Sequence, residues 1–139
     1  MTKIERFSDL EKKYVLKVLE GNFSTSKSNI FVSKKEKEFA KKYNSKFAIS
    51  FCNGTATMHA ALYAAGIKKN DEVIVTPLTM SSTSFAIKYL EAIPVYADVD
   101  LNTFQISPTD IEKKITKKTK AIITVALYGG SPELDKIKR

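Results

Sequence analysis

Short apolar runs alternate with amphipathic stretches along this chain, a pattern that predicts an α/β protein. The apolar runs have the length of buried strands and cover Phe47–Cys52, Glu72–Val75, Pro94–Val99 and Ala121–Leu127. Helical patterns cover Phe7–Glu20, Lys34–Tyr43, Thr55–Ala65, Ser81–Glu91 and Ser107–Ile115, and one more helix begins after Ser131. Because strands and helices alternate, we expect one mostly parallel sheet with helices on both faces. The most apolar run, Ala121–Leu127, is expected at its centre.

Two of the predicted helices begin with the residues of a capping box, in which a serine is followed three residues later by a glutamate. Ser8 and Glu11 form this pattern before the first helix, and Ser33 and Glu36 form it before the second. We therefore expect both helices to begin at these serines.

The stretch Phe47–Ala65 combines a strand pattern, an Asn-Gly turn and a helix rich in small residues. The first amides of a helix have no partner within it, and its dipole adds positive charge there, so such a start attracts anions. We expect Gly54, Thr55 and Ala56 to offer free amides, and the hydroxyls of Thr55 and Thr57 to add hydrogen bonds. An ordinary strand–helix unit remains the alternative, since the chain has neither GxGxxG nor GxxxxGK[ST].

A second polar segment follows the next predicted strand, where Pro77 ends Glu72–Val75 and leads into Thr79 and Met80. Ligands of open α/β sheets collect in the crevice at the carboxyl ends of the strands. Because Gly54–Ala56 and Thr79–Met80 both follow strand ends, we expect them to face one crevice.

The composition indicates a folded domain with a basic surface. The chain has 139 residues, 43% of them hydrophobic, and a formal net charge of +8. Its lysines are scattered among glutamates and not interleaved with aromatic residues, and arginine is nearly absent, so we do not expect nucleic acid as a partner. We also expect no membrane association and a cytoplasmic location, because no apolar run has transmembrane length and the N-terminus lacks the apolar segment of a signal peptide.

Few residues have the chemistry of a metal or nucleophile site. Cys52 is the single cysteine and His59 the single histidine, and we expect both to be packed residues, with Cys52 buried. Asp98 and Asp100 have no third ligand near them in the sequence, so we interpret them as turn-forming and capping residues.

Several blocks of the chain, taken together, resemble the DegT–DnrJ–StrS family of sugar aminotransferases. The resemblance covers roughly residues 21–139 and rests on NGTATMHAAL, DEVIVTPLTMSST, AIPVYADVD and TKKTKAIITVALYGG, which occur in this order. It implies a partial large domain of the aspartate-aminotransferase fold, known as fold type I of enzymes that use pyridoxal 5'-phosphate. It also implies a homodimer that takes a keto-sugar nucleotide and an amino acid donor.

The resemblance also implies roles for individual residues. Gly54, Thr55 and Ala56 match the family's Gly-Thr-Ala turn, which holds the cofactor phosphate. Met80 stands where the family places an aromatic side chain against the pyridine ring, and its thioether is expected to cover that ring. Ala126 stands where the family commonly has a histidine, whereas Tyr128 and the glycine after it match. Substrate contacts are expected from the loop of residues 23–32, through Ser24, Thr25 and Ser26.

The family's catalytic lysine and the aspartate that pairs with the pyridine nitrogen match no residue of this sequence, so we assign no catalytic residue. We expect residues 1–139 to form the N-terminal part of the large domain, with helices and a loop in 1–45 and the α/β part in 46–139. The small C-terminal domain is then absent, and this chain alone is expected to be inactive. The alternatives are a related sugar dehydratase that uses the same cofactor and lacks the lysine, and a non-catalytic interaction fragment.

Overall fold

The computed structural model describes residues 7–21 and 30–138. The chain divides into two compact units, residues 1–50 and residues 51–139. Each unit is considered by itself below.

The first unit contains helix α1, Asp9–Leu19, and helix α2, Ile30–Lys42. The capping box predicted for the first helix is confirmed, because the carboxylate of Glu11 accepts a hydrogen bond from the backbone amide of Ser8. The one predicted for the second helix is wrong, because α2 begins at Ile30 and Ser33 lies inside it. The Glu36 carboxylate instead accepts a 2.7 Å hydrogen bond from the backbone amide of Ser50.

The predicted strand Phe47–Cys52 is wrong, since these residues form no ladder with any strand in the described part of the chain. The side chains of Phe47 and Ile49 are 74% and 73% exposed. A strand forms only where another strand satisfies its backbone groups, and this segment has no such neighbour among the described residues. Cys52 is exposed, so its predicted burial is wrong as well.

The second unit is built on a parallel three-stranded sheet with the order β2-β1-β3. Its strands are β1 (Glu72–Val75), β2 (Ile93–Tyr96) and β3 (Thr119–Ile123). Its helices are α3 (Gly54–Ala64), α4 (Ser82–Lys88), α5 (Pro108–Lys114) and α6 (Leu134–Ile137), and a 3-10 turn covers Leu127–Gly129. The parallel α/β architecture is thus confirmed.

The position predicted for the most apolar run is wrong. Its strand, β3, lies at one side of the described sheet, and β1 lies between the other two strands. Burial agrees with this order, because Val73, Ile74 and Val75 of β1 are all fully buried, whereas the residues of β3 are half-buried or exposed. The flanking strands, and not apolarity alone, therefore decide which strand is central.

Apolar residues pack on both faces of the sheet, as expected. Val73 and Val75 share one hydrophobic cluster with Leu62 of α3 and Ile87 of α4. The intervening Ile74 belongs to a second cluster that includes Ile111 of α5. Because successive side chains of a strand point to opposite faces, these two clusters show that β1 is covered on both sides.

Helix α4 buries only some of its apolar residues. Ala86 is buried, but Phe85 and Tyr89 are 53% and 61% exposed. The residues that contact the core through α4 instead include Thr83 and Ile87.

Across residues 7–21 and 30–138, none of the helices combines the length and apolarity required to span a membrane.

Candidate functional site

The predicted anion site lies at the N-terminus of α3, which begins at Gly54, one residue before the predicted start at Thr55. Asn53 caps this helix, and its side-chain oxygen accepts a 2.9 Å hydrogen bond from the amide of Ala56. The backbone oxygen of Asn53 accepts two further bonds from Thr57, one from the amide at 3.2 Å and one from the hydroxyl at 3.1 Å. The expectations that the Ala56 amide is free and that the Thr57 hydroxyl binds the anion are therefore wrong.

The amides of Gly54 and Thr55 remain available, since neither has a hydrogen-bond acceptor among the described residues. Apart from Asn53, Thr55 and the backbone of α3, no atom of the described residues lies within 4 Å of the position that a Cβ on Gly54 would occupy. The 11-residue length of α3 aligns enough peptide dipoles to give this end a partial positive charge. Two unpaired amides, an open approach and the Thr55 hydroxyl fit a phosphate group. The structure does not place a strand directly before this turn, however.

Met80 lies in the loop between β1 and α4, and its side chain is 75% exposed. It lines a cavity of about 440 Å³ with residues from that loop, from α4 and from β2: Pro77, Thr79, Ser81, Ser84, Phe85, Lys88, Pro94 and Tyr96. Gly54, Thr55 and Ala56 do not line this cavity. The crevice predicted to join Met80 with the helix start therefore stays a prediction.

The cavity beside Met80 contains polar side chains that the sequence did not single out. The Tyr96 hydroxyl donates a 3.1 Å hydrogen bond to Ser84 Oγ, and Lys88 adds a positive charge at the C-terminus of α4. Ser84 and Lys88 are four residues apart and therefore lie on one face of the helix. Sequence spacing could have paired these two, but only the β2–β1 pairing brings Tyr96 to them.

The segments after the three strands share one edge of the sheet, because β1, β2 and β3 are parallel. After β1 comes Met80, and after β3 comes the turn Leu127–Gly129. Within that turn Tyr128 has φ 53° and ψ 25°, and its side chain is 94% exposed. This edge therefore carries Met80 and a tyrosine that matched the family resemblance.

Asp100 has the turn-forming role that the sequence indicated, whereas the Asp98 carboxylate bonds to the amide of the next residue. Asp100 Oδ1 accepts hydrogen bonds from the amides of Thr103 and Asn102 at 2.9 and 3.0 Å, and these bonds lower the pKa of the Asp100 carboxyl. Asp98 Oδ1 accepts a 2.8 Å bond from the amide of Val99. In the part of the chain that the structure describes, no group of three or more His, Cys, Asp or Glu side chains is arranged to hold a metal ion.

Two other predicted features have different outcomes. His59 is half-buried on α3, and its ring packs edge-on against Tyr89 with centroids 5.7 Å apart, which confirms it as a packed helix residue. The predicted substrate contacts Ser24, Thr25 and Ser26 lie outside the described residues.

Comparison with known proteins gives one consistent result. The sequence profile of the DegT/DnrJ/EryC1/StrS aminotransferase family matches residues 6–139. GDP-perosamine synthase of Escherichia coli O157:H7 is 44% identical over 127 residues, which cover 91% of this chain and 35% of that protein. The chain thus spans about a third of the length of this curated relative.

Solved structures of aminotransferases and of a dehydratase share the fold. The aminotransferase from Psychrobacter cryohalolentis superposes with a TM-score of 0.90 at 37% identity, covering 95% of this chain and 33% of that one. GDP-4-keto-6-deoxy-D-mannose-3-dehydratase from E. coli, solved with bound hydrated pyridoxal phosphate, gives a TM-score of 0.86 at 29% identity, covering 96% of this chain and 36% of that one.

Proposed function

Because this chain belongs to the DegT/DnrJ/EryC1/StrS aminotransferase family, we propose that it supplies the phosphate-binding part of a pyridoxal-phosphate enzyme. The reaction proposed for the complete enzyme is transfer of an amino group from an amino acid donor to a keto-sugar nucleotide. The name of the relative GDP-perosamine synthase supports a nucleotide-linked sugar as substrate. A cytoplasmic homodimer in amino-sugar or surface-polysaccharide biosynthesis completes the proposal.

The observation that carries this proposal is the open start of α3. The amides of Gly54 and Thr55 are unpaired within the described residues, and no described residue beyond the neighbours of Gly54 and the backbone of α3 lies within 4 Å of its Cβ position. A phosphate placed there accepts hydrogen bonds from both amides and from the Thr55 hydroxyl, and it also neutralises the positive end of the helix dipole.

Met80 and Lys88 have supporting roles in this proposal. When bound, the cofactor supplies an electron sink for proton removal at the substrate carbon. Met80 covers one face of its ring with a polarisable thioether, and its 75% exposure leaves it free to do so. The positive charge of Lys88, in the cavity that Met80 lines, attracts the anionic parts of cofactor and substrate.

The catalytic lysine is proposed to come from residues other than 1–139. No lysine of this sequence stands in a motif that matches the family's lysine, and proton transfer at the substrate carbon requires that amine. We therefore expect residues 1–139 by themselves to bind the phosphate weakly and to transfer no amino group.

A sugar dehydratase that uses the same cofactor is the second candidate. The likeness to the E. coli dehydratase structure, at 29% identity and a TM-score of 0.86, favours it. The two candidates differ in product, because the aminotransferase leaves nitrogen on the sugar and consumes an amino acid. Incubation of the complete protein with 15N-glutamate and a keto-sugar nucleotide distinguishes them, since only the aminotransferase gives a 15N-labelled sugar.

Removal of a single hydroxyl tests the phosphate site. Thr55→Val is expected to raise the dissociation constant for pyridoxal phosphate about tenfold, because one hydrogen bond to a charged group is lost. Thr57→Val is the matched control, since its hydroxyl already bonds to Asn53 at 3.1 Å and is not available to a ligand. Equal affinities of the Thr55→Val variant and the parent protein would count against this site.

The role of Met80 is tested separately. Met80→Ala is expected to weaken binding of pyridoxal phosphate, whereas binding of inorganic phosphate stays unchanged because the ring contact alone is removed. Leu78→Ala, which changes an exposed apolar residue of the same loop, is expected to alter neither. A parallel loss of both ligands in the Met80 variant would show a general disturbance of the loop instead.

A further inference from the structure

Gln105 is a buried polar residue for which neither the sequence nor the family resemblance assigned a role. Only 5% of it is exposed. Its side-chain nitrogen donates hydrogen bonds to the carbonyl oxygens of Thr103 and Leu127, each at 3.2 Å. Leu127 follows Gln105 by 22 residues and opens the 3-10 turn after β3. The carboxamide thus joins two loops that the chain does not connect directly.

The Gln105 carboxamide contacts the turn after β3 through the carbonyl group of Leu127. The amide of Gly130 donates to the Leu127 carbonyl at 2.9 Å, and the same carbonyl accepts the bond from Gln105. A Cβ at position 130 would lie only 2.4 Å from the Gln105 nitrogen. Glycine is therefore required at position 130 for the carboxamide to reach Leu127.

Tyr128 is the residue that this turn presents. Its φ of 53° is in the left-handed region, which is unfavourable for a side chain of this size and persists only where surrounding contacts impose it. The bond from Gln105 to Leu127 is such a contact, one residue away. Because the side chain of Tyr128 is 94% exposed, packing of its own ring does not explain the conformation.

We propose that Gln105 is a positioning residue and that Tyr128, held by it at the carboxyl edge of the sheet, contacts the nucleotide-sugar substrate. This proposal rests on the proposed function, which supplies the identity of the ligand. An exposed tyrosine ring offers a flat face on which a nucleobase stacks, and its hydroxyl donates to a sugar or phosphate oxygen. The ligand crevice of an open α/β sheet lies at this edge, which also carries Met80.

The first experiment measures the order of the turn without any ligand. In 15N-glycine-labelled protein, Gln105→Leu is expected to raise the hydrogen-exchange rates of the Gly129 and Gly130 amides at least about tenfold, because their turn loses the hydrogen bond from Gln105 to Leu127. Gly66, which lies in another loop, is the internal reference. Leu101→Ala is the control variant, because Leu101 is 84% exposed in the loop that leads to Gln105. Unchanged exchange at Gly129 and Gly130 would overturn the positioning role.

A charge variant adds a pH-dependent signature that loss of packing does not produce. At neutral pH the carboxylate of Gln105→Glu has no proton to donate and is repelled by the carbonyl oxygens of Thr103 and Leu127, so the turn loses this hydrogen bond. Once protonated, the same carboxyl group donates one hydrogen bond to Leu127. Exchange at Gly129 and Gly130, corrected for its intrinsic pH dependence, is therefore expected to slow on acidification in this variant and not in Gln105→Leu. The same pH profile in both variants would contradict the hydrogen-bond role.

The second experiment uses steady-state kinetics of the complete enzyme. Gln105→Leu and Tyr128→Ala are each expected to raise KM for the keto-sugar nucleotide about tenfold with little change in kcat, as for loss of a contact made equally in ground and transition states. The double variant is expected to be no worse than Tyr128→Ala, because Gln105 acts through Tyr128. Unchanged KM, or effects that add in full, would overturn the substrate contact.

These experiments distinguish failure of the proposed function from failure of the substrate contact. If the parent enzyme turns over no keto-sugar nucleotide, the substrate contact fails with it, and the glycine exchange rates still decide whether Gln105 holds the turn. If the parent enzyme is active and the variants match it, the substrate contact alone is refuted.

Discussion

Asn53 Oδ1 accepts a 2.9 Å hydrogen bond from the amide of Ala56, so one of the three amides expected to bind phosphate already has a partner. Asparagine is among the residues that cap helices best. A phosphate at this helix must therefore use the Gly54 and Thr55 amides or displace the Asn53 side chain.

Substitutions of Asn53 separate its capping role from its effect on the anion. Asn53→Ala is expected to lower the free energy of unfolding by about 1 kcal/mol, because the cap is lost. Asn53→Asp retains a capping oxygen and stability, but its negative charge repels phosphate, so affinity is expected to fall by an amount that decreases at high salt. Urea unfolding and phosphate titration at two salt concentrations measure both effects. Full phosphate affinity in the aspartate variant would place the anion elsewhere.

The start of α3 was predictable from the sequence to within one residue, because its signals are local. An asparagine, a glycine and a run of good helix formers stand next to each other, and the cap they form spans only residues 53–57. The strand predicted before it is wrong for the opposite reason. Phe47–Cys52 has the apolar pattern of a strand, but pairing needs a partner from a distant part of the sequence, and none of the described strands pairs with it.

The capping box predicted for Glu36 is wrong for the same reason, because the partner of this side chain is distant in the sequence. Its spacing from Ser33 matched a capping box, yet α2 begins at Ile30 and Glu36 bonds to the amide of Ser50, 14 residues away. Likewise, the apolarity of Ala121–Leu127 indicated a strand, but its place in the sheet depends on strand order. The bond from Gln105 to Leu127 had no local signal at all.

Gly54→Ala tests whether the empty space before α3 serves a ligand. Beyond its chain neighbours and the backbone of α3, no described atom lies within 4 Å of the added Cβ, so we expect stability to stay the same or rise by up to about 1 kcal/mol. The methyl group would occupy the approach to the two free amides, and phosphate affinity is therefore expected to fall. Gly66→Ala is the control with the reverse effect, because Gly66 has φ +82° and its variant loses stability without losing affinity. A Gly54 variant with full affinity would argue against the site.

The hydrogen bonds of the Asp100 carboxyl lead to a prediction of how the free energy of unfolding changes with pH. Hydrogen bonds from the amides of Thr103 and Asn102 hold the pKa of its carboxyl below the ordinary aspartate value in the folded chain. The carboxylate therefore contributes fully to the free energy of unfolding at pH values above the ordinary aspartate pKa. This contribution is lost as the pH falls through the lower pKa of the folded chain. In Asp100→Asn this loss is absent, so the stability difference between the parent protein and the variant should shrink on acidification.

Urea unfolding from neutral to acidic pH measures this difference, and carboxyl NMR shifts report the titration of Asp100 directly. Asn102→Ala is the matched control, because it keeps the backbone amide that donates to Asp100 at 3.0 Å. A pH-independent difference between the parent protein and Asp100→Asn would refute the assignment.

Gly130 and Gln105 provide the last prediction, which concerns stability and needs no ligand. A Cβ at position 130 would lie 2.4 Å from the Gln105 nitrogen and 3.0 Å from its amide carbon. Since Gln105 is buried, its carboxamide cannot swing into solvent and must leave its bonds to Thr103 and Leu127. We expect Gly130→Ala to lower the free energy of unfolding by about 1–3 kcal/mol, the usual cost of overpacking.

The two positions should also be coupled. In Gln105→Ala the obstructing amide is gone, so adding Gly130→Ala to that background is expected to cost much less than adding it to the parent protein. Urea unfolding of the four proteins of this cycle gives the coupling free energy directly. Gly54→Ala serves as the reference, because no described residue beyond its chain neighbours and the backbone of α3 lies within 4 Å of its Cβ position. If the two substitutions proved additive, the turn would be held by contacts other than the Gln105 carboxamide, because only a shared contact makes the loss at one position depend on the side chain at the other.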